Sequence, residues 1–371
     1  MKVGKFFRAP FLALNALLFC AHAALSATSS YADAQMPRQN ITKVPKLQLD
    51  PMRGTASVDL SVMTYNVAGL PWPIKKGREA ALKDIKHEIE TLHASGRAPD
   101  IIVLQEAFTP AAARIGAVYP NRLQGPAAAD RSVTGAAPIG EDFRRDRSFL
   151  KGERLAKLMP SGLFVLSDYP IVSAEMTPFQ PASCAGYDCL ANKGAMIATI
   201  EIPGAPAPVQ ILTTHLNSNR SSGVSPERAL AAHRQQVDEL GALMARGLNA
   251  DWPFIYAGDF NTRHSRARFG HNAQTLPGVF VREHCLDPAA GCETRIPSEQ
   301  GKAPWLETQD LQGFVSGADI DVRPIRAEKM FHEPVGGRVL SDHDAYLVTY
   351  RLTWKLDVFA AADRPPAPLQ R

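Results

Sequence analysis

Long apolar runs are scarce in this chain. Only residues 11–25 approach one, and that run is shorter than the ~20 residues that span a bilayer. It follows Lys2, Lys5 and Arg8 and precedes small residues, the order of a secretory signal peptide. The expectation is a leader over residues 1–34, cleaved after Ala23 or Ala34, and a secreted or periplasmic protein. Cysteine is also rare, five in 371 residues, too few for a miniprotein built on disulfides. Charge of one sign is nearly absent: 41 Lys and Arg stand against 37 Asp and Glu, a formal +4. That gives no electrostatic case for a nucleic-acid partner. No internal repeat is evident, and the composition, 45% hydrophobic and 21% charged, excludes a mainly disordered chain, a collagen and a coiled coil.

Loss of the leader removes Cys20 and leaves Cys184, Cys189, Cys285 and Cys292. In an exported chain four cysteines read as disulfides with three possible connectivities. Local closure, Cys184–Cys189 and Cys285–Cys292, is preferred because each pair is close in sequence within a loop-like stretch. Their spacings do not suggest zinc.

Residues 35–57 are polar and irregular and read as a tether or early edge segment, with a short tail expected over 356–371. Between them, short apolar runs alternate with helical patterns. Residues 60–67, 100–105, 163–166, 194–202, 209–214 and 253–257 read as strands, and 79–94 as a helix. The clearest helix spans 225–247. Ser225 can cap it, Pro226 suits its first turn, and Leu230, Val237, Leu240 and Met244 recur at helical spacing. Two stretches, 125–152 and 263–304, are rich in Gly and Pro and read as long surface loops. The whole reads as one α/β domain over residues 58–355.

Five strand-like segments each end on a polar residue of a narrow type: Thr64-Tyr-Asn66, Leu104-Gln-Glu106, Thr213-Thr-His-Leu-Asn217, Tyr256-Ala-Gly-Asp-Phe-Asn261 and Leu340-Ser-Asp-His343. Strand ends are where sheets place ligands, so residues far apart in the chain can converge there. Carboxylate and amide oxygens suit a hard cation such as Mg2+, or Mn2+ or Co2+, which leaves coordination positions for phosphate. Two histidines supply proton transfer or charge stabilisation near neutrality. The set fits metal-assisted hydrolysis of a phosphate ester.

In that order the five segments resemble the signatures of the endonuclease/exonuclease/phosphatase superfamily, and Ser161-Gly-Leu-Phe-Val-Leu-Ser-Asp-Tyr-Pro-Ile171 resembles one of its strand pairs. The resemblance covers residues 58–353. It implies a DNase I-like, four-layer sandwich of two packed mixed β-sheets flanked by helices. It also implies roles: Glu106, Asn66 and Asp342 at the metal, with Asn66 also at the phosphate; Asp259 and Asn261 on the attacking water and scissile phosphate; His343 as general base. Asp310, in a segment that departs from the family pattern, would orient His343. His215 would stabilise the pentacovalent state or protonate the leaving oxygen.

Within the superfamily, Cys184-Ala-Gly-Tyr-Asp-Cys-Leu-Ala-Asn-Lys-Gly194 resembles a stretch of neutral and bacterial sphingomyelinases, and Leu70-Pro71-Trp72 resembles their start. Lys193 would then offer a compact positive charge to a phosphodiester oxygen. The implied reaction is hydrolysis of sphingomyelin to ceramide and phosphocholine at a phospholipid membrane surface, with no nucleic acid and no obligate protein partner. Trp72, Trp252, Trp305 and Phe280 are candidates for membrane contact, although scattered aromatics of this kind read as core. Rival readings keep the fold but change what it binds. The basic clusters Arg144, Arg145, Arg147, Lys151, Arg154 and Arg263, Arg266, Arg268 could track nucleic-acid phosphates, although they read better as solvated loops. The same scaffold could also serve as a phosphomonoesterase or as a non-catalytic binding module.

Overall fold

Alternate side chains of a strand face opposite ways, so a strand packed on both faces must be apolar in both phases. The computed structural model describes residues 43–295 and 310–356 and shows this arrangement throughout its central strands. In chain order the strands are β1 (Gln48–Asp50), β2 (Thr55–Asn66), β3 (Ile101–Gln105), β4 (Asn121–Gln124), β5 (Phe164–Ser167), β6 (Ile171–Pro178) and β7 (Gly194–Ile200). They continue with β8 (Val209–His215), β9 (Phe254–Asp259), β10 (Val279–Phe280), β11 (Glu293–Arg295), β12 (Asp310–Val315), β13 (Asp321–Met330) and β14 (Ala345–Lys355). The α-helices are α1 (Arg78–Ala94), α2 (Pro110–Ala113), α3 (Glu141–Arg145), α4 (Pro226–Gly247), α5 (Arg266–Thr275) and α6 (Val281–Leu286).

The strands form two mixed sheets. One runs β11-β13-β14-β2-β3-β5-β4, with β1 also paired to β2; the other runs β10-β12-β9-β8-β7-β6. Val58, Leu60 and Val62 of β2, Ile101 and Val103 of β3, and Ile211 and Ile255 of the second sheet fill the space between the sheets. The opposite phase of β2 and β3, Met63, Tyr65, Ile102 and Leu104, packs under Leu82, Ile85 and Ile89 of α1. On the other outer face, Leu212 and Tyr256 meet Val237, Leu240 and Leu243 of α4. The result is the expected helix–sheet–sheet–helix sandwich. As read from sequence, Ser225 caps α4 by accepting from the Arg228 amide at 3.3 Å, and both local disulfides form.

Three expectations are corrected. The stretch 263–304 is not an irregular loop in its described part, because α5, β10, α6 and β11 lie within it. Within the same stretch Arg268 is not a solvated cation: it is 1% exposed and donates to the carbonyls of Asn217 and Asn261. Trp72 is not core; it is 75% exposed, whereas Phe280 is buried as read. By contrast, Arg144 and Arg145 are solvated and pair within α3 with Glu141 and Asp142. The segment expected to be a signal peptide, Trp305 and the tail beyond residue 356 lie outside the described residues. Among those described, no helix is long and apolar enough to cross a membrane.

Candidate active site

The inward phase of the two sheets changes from apolar to polar toward one end. Thr64 donates to Gln105 at 3.1 Å, and Gln105 donates to Thr213 across the sheets at 3.2 Å. One step further along, the strands end on Asn66, His215, Asp259 and Asp310. Register fixes their height: Asp259 is the partner of His215 in the parallel β8–β9 pair and of Asp310 in the antiparallel β9–β12 pair. Three titratable side chains therefore stand side by side on adjacent strands, with Asn66 facing them from the other sheet.

The four are bonded into one network. Asn66 Nδ2 donates to Asp259 Oδ2 at 3.0 Å. Its Oδ1 accepts from the Ala68 amide at 3.0 Å, so one amide ties the Asp259 carboxylate to the loop after β2. The opposite Asp259 oxygen accepts from the Asn261 amide at 2.9 Å, while Asn261 Nδ2 donates to the Leu216 carbonyl at 2.9 Å. His343 Nδ1 lies 2.8 Å from Asp310 Oδ2, which turns Nε2 toward Asp259, 3.9 Å from its Oδ2. His215 Nε2 lies 3.3 Å from that oxygen and 3.1 Å from Lys193 Nζ. Lys193 in turn donates to the Leu216 carbonyl at 3.0 Å and pairs with Asp188.

Loop backbone is strained where these residues sit. Glu106 and Asn261 have φ of 55° and 51°, a conformation non-glycine residues adopt only where surroundings impose it. At Glu106 the cause is close packing. The Gly69 amide donates to its carbonyl at 3.0 Å, and a Cβ on Gly69 would stand 2.5 Å from that oxygen and 2.9 Å from the Ala112 methyl.

A cleft of about 980 Å³ opens over the network. Seven of the nine sequence-predicted residues line it: Glu106, Lys193, His215, Asp259, Asn261, Asp342 and His343. Asn66 and Asp310 stand behind, 1% and 3% exposed, and act on the cleft through Asp259 and His343. Asp342 lies at the rim, held by Lys75 at 2.8 Å. Sequence reading assigned no role to Asp188 or Lys75. Asp188 fell inside the motif that carries Lys193 and could have been paired with it; nothing local marked Lys75.

Burial sets the charges. It raises Glu106, against the pull of Lys193 and Asn66, and lifts Asp259 to about 7, helped by Asp310. At His343 burial opposes the charged ring, but Asp310 and Asp259 outweigh it and push the ring up to about 10. His215 is held well below its ordinary value by burial and by the Lys193 ammonium, so it is neutral. A cleft with several inward carboxylates, two of them forced upward by desolvation, has the surplus of oxygen donors that a hard divalent cation relieves. Glu106, Asp342 and Asp259 present carboxylates to the cleft. The tightest group of potential ligands, Asp259, Asp310 and His343, has its atoms within 4.8 Å of one another. The Asp310–His343 hydrogen bond accounts for much of that closeness.

The same architecture recurs in solved structures. Beta toxin from Staphylococcus aureus is similar over 78% of this chain and 99% of its own, at 17% identity and a TM-score of 0.54. Sphingomyelinase C from Streptomyces griseocarneus covers the same shares at 21% identity and a TM-score of 0.52. A humanized D. rerio TDP2 is similar over 79% of this chain and 98% of its own, at 17% identity and a TM-score of 0.51. These likenesses show a shared DNase I-like fold. No curated protein matches by sequence. The Endonuclease/Exonuclease/phosphatase family profile, however, matches residues 63–292, from β2 through Glu106, His215 and Asp259 to the second disulfide. With most of its sandwich and site inside that match, the chain belongs to the Endonuclease/Exonuclease/phosphatase family.

Proposed function

We propose that the chain is an exported, divalent-metal-dependent phosphodiesterase that hydrolyses sphingomyelin to ceramide and phosphocholine. The observation that carries the reading is Lys193: 6% exposed, yet lining the cleft beside His215 and held by Asp188. An ammonium positioned there can bind a phosphodiester oxygen next to the carboxylates that activate water. The fold likeness to a sphingomyelinase C and the resemblance around Lys193 point the same way.

A bound Mg2+, or Mn2+ or Co2+, would be held by Glu106 and Asp342 and would supply Lewis-acid stabilisation of phosphoryl and leaving-oxygen charge. The chain's own groups do the rest. Asp259, held by Asn66 and the Asn261 amide and titrating near neutrality, is placed to take the proton of an attacking water. His343, kept charged by Asp310, donates to a phosphoryl oxygen and gives its proton to the departing ceramide oxygen, a role that suits its raised pKa better than that of general base. Neutral His215 accepts from Lys193 and fixes its direction rather than giving up a proton itself.

A second reading, a nuclease, is favoured by one observation. Arg220 and Arg263, both exposed, line the cleft mouth, where they would meet further phosphates of a polynucleotide. One assay separates the two. Purified mature protein with Mg2+ releases phosphocholine from sphingomyelin vesicles and leaves supercoiled DNA intact; nicked DNA without phosphocholine release assigns the site to nucleic acid.

A further inference from the structure

Two exposed apolar segments border the cleft, and neither is explained by the catalytic network. The loop after β2 presents Trp72 and Ile74 at 75% and 57% exposure, and Ile74 itself lines the cleft. The segment 149–158 presents Phe149, Leu150 and Leu158 at 62%, 87% and 66%. It is fastened to the cleft wall. The Leu158 amide donates to the Leu190 carbonyl at 2.8 Å, and Lys151 sits 5.0 Å over the Tyr187 ring, both Leu190 and Tyr187 being lining residues. Water-facing side chains of this size, grouped around one opening, mark an interaction surface.

Basic residues are interleaved with them. Lys76 and Arg154 are exposed and Lys151 half-buried. Arg154 donates to the Arg147 carbonyl at 2.7 Å and to the Arg145 carbonyl, and forms no ion pair with a carboxylate among the described residues. Apolar tips beside cations are the combination that partitions into the headgroup region of an anionic bilayer: the apolar groups enter, and the cations meet lipid phosphates. An exposed Trp suits that boundary.

We propose that the Trp72–Ile74 loop and the 149–158 segment form a two-part surface that docks the cleft onto a bilayer containing anionic phospholipid. This rests on the lipid-substrate reading only for why the cleft should face a bilayer. Docking orients the opening toward the membrane, so that a lipid phosphodiester reaches Lys193 with its apolar chains still among other lipids.

Flotation with vesicles that contain no sphingomyelin tests the surface apart from the chemistry. With EDTA present, the mature protein should bind phosphatidylcholine/phosphatidylserine vesicles and bind pure phosphatidylcholine vesicles more weakly, with salt reducing the difference. Phe149→Ser/Leu150→Ser should lower partitioning by about tenfold or more, and Lys151→Glu/Arg154→Glu should abolish the preference for phosphatidylserine. Both variants should keep wild-type hydrolysis of a soluble aryl phosphodiester, which also reports an intact fold. Wild-type vesicle binding by both variants overturns the proposal. So does indifference of the unmutated protein to phosphatidylserine, or binding of the 149–158 segment to DNA but not to vesicles. If hydrolysis of sphingomyelin fails while vesicle binding follows this pattern, the docking surface stands and the substrate assignment falls.

Discussion

Asn66 and Asp259 join the two sheets at the point where chemistry occurs: the amide of one donates to the carboxylate of the other at 3.0 Å. The residues are 193 positions apart, and each is the last residue of its strand. Because Asn66 Oδ1 also accepts from the Ala68 amide, a single side chain fixes the Asp259 carboxylate relative to the loop that follows β2.

Asn66→Ala should therefore impair turnover far more than folding. The expected loss in kcat/KM is about 10²-fold, the scale of a misplaced catalytic group, against about 1–3 kcal/mol in stability for the hydrogen bond lost by the buried Asp259 carboxylate. Paired kinetics and urea denaturation check this. Equal turnover in the variant would mean that Asp259 finds its position without Asn66.

Asp310 acts on His343 at 2.8 Å, and its charge raises the ring. The ring of the metal-free protein should remain protonated well above pH 7, titrating toward about 10. In Asp310→Asn that titration should fall by at least about two pH units, readable from imidazole ¹⁵N shifts. Because the folded-state pKa lies above the ordinary 6.5, the ring's contribution to stability is complete below pH 6.5. It is lost as pH rises toward 10, so the wild type and Asp310→Asn should converge in stability under alkaline conditions.

Glu106 offers a half-buried carboxylate at the cleft, the kind of oxygen ligand a hard cation takes. EDTA should abolish hydrolysis, and added Mg2+ should restore it. Glu106→Gln, nearly isosteric, should weaken Mg2+ binding by about tenfold or more with circular dichroism unchanged. Titration calorimetry reads the affinity directly, and unaltered binding in the variant would place the ion elsewhere in the cleft.

Gly69 is required for a different reason. Its missing side chain leaves room for the Glu106 carbonyl, which a Cβ would approach to 2.5 Å, with the Ala112 methyl at 2.9 Å. Neither neighbour is the end of a flexible chain. Gly69→Ala should cost about 1–3 kcal/mol of stability and displace Glu106, so both Tm and Mg2+-dependent turnover should drop. An unchanged Tm would show that the loop can yield.

Much of this site was legible because its residues lie in short local patterns. Gly-Asp-Phe-Asn261 announces a strand end, whereas Ser-Asp-His343, read as one, lies in the loop that enters β14 at Ala345; the alternation of Leu60 and Val62 with Met63 and Tyr65 fits a strand packed on both faces. Asp310 was harder to place because Asp-Leu-Gln-Gly has no distinctive pattern. Its placement depends on register with Asp259, a long-range property. The same holds for Asn66, whose part is to stand behind the carboxylates, and for Lys75, whose partner Asp342 is 267 residues away. Burial of Arg268 was hidden for a related reason: a cation that donates to the carbonyls of two site loops looks, in sequence, like any surface arginine.

Beneath the Asp259–Asn261 loop, His233 of α4 holds the Phe260 carbonyl at 2.8 Å through Nε2. Its Nδ1 is buried and has no hydrogen-bond partner among the described residues. A proton arriving there would be desolvated and would face Arg268, so the pKa is driven down to about 3, chiefly by burial. In the unfolded chain the ring titrates near 6.5. Between these values the unfolded state binds the extra proton, so this histidine makes the fold less stable as pH falls from about 6.5 toward 3, by up to about 1.4 kcal/mol per pH unit. Asp259 and Glu239, both raised by burial, work in the opposite direction, so the wild-type curve alone does not isolate the effect. The difference between wild type and His233→Gln does, because glutamine can still donate to Phe260 but cannot take up a proton. Urea midpoints measured from pH 7.5 to pH 4.5 should show the variant gaining on the wild type as the solution becomes acidic. Parallel curves would mean that the protonated ring finds an acceptor in the folded protein.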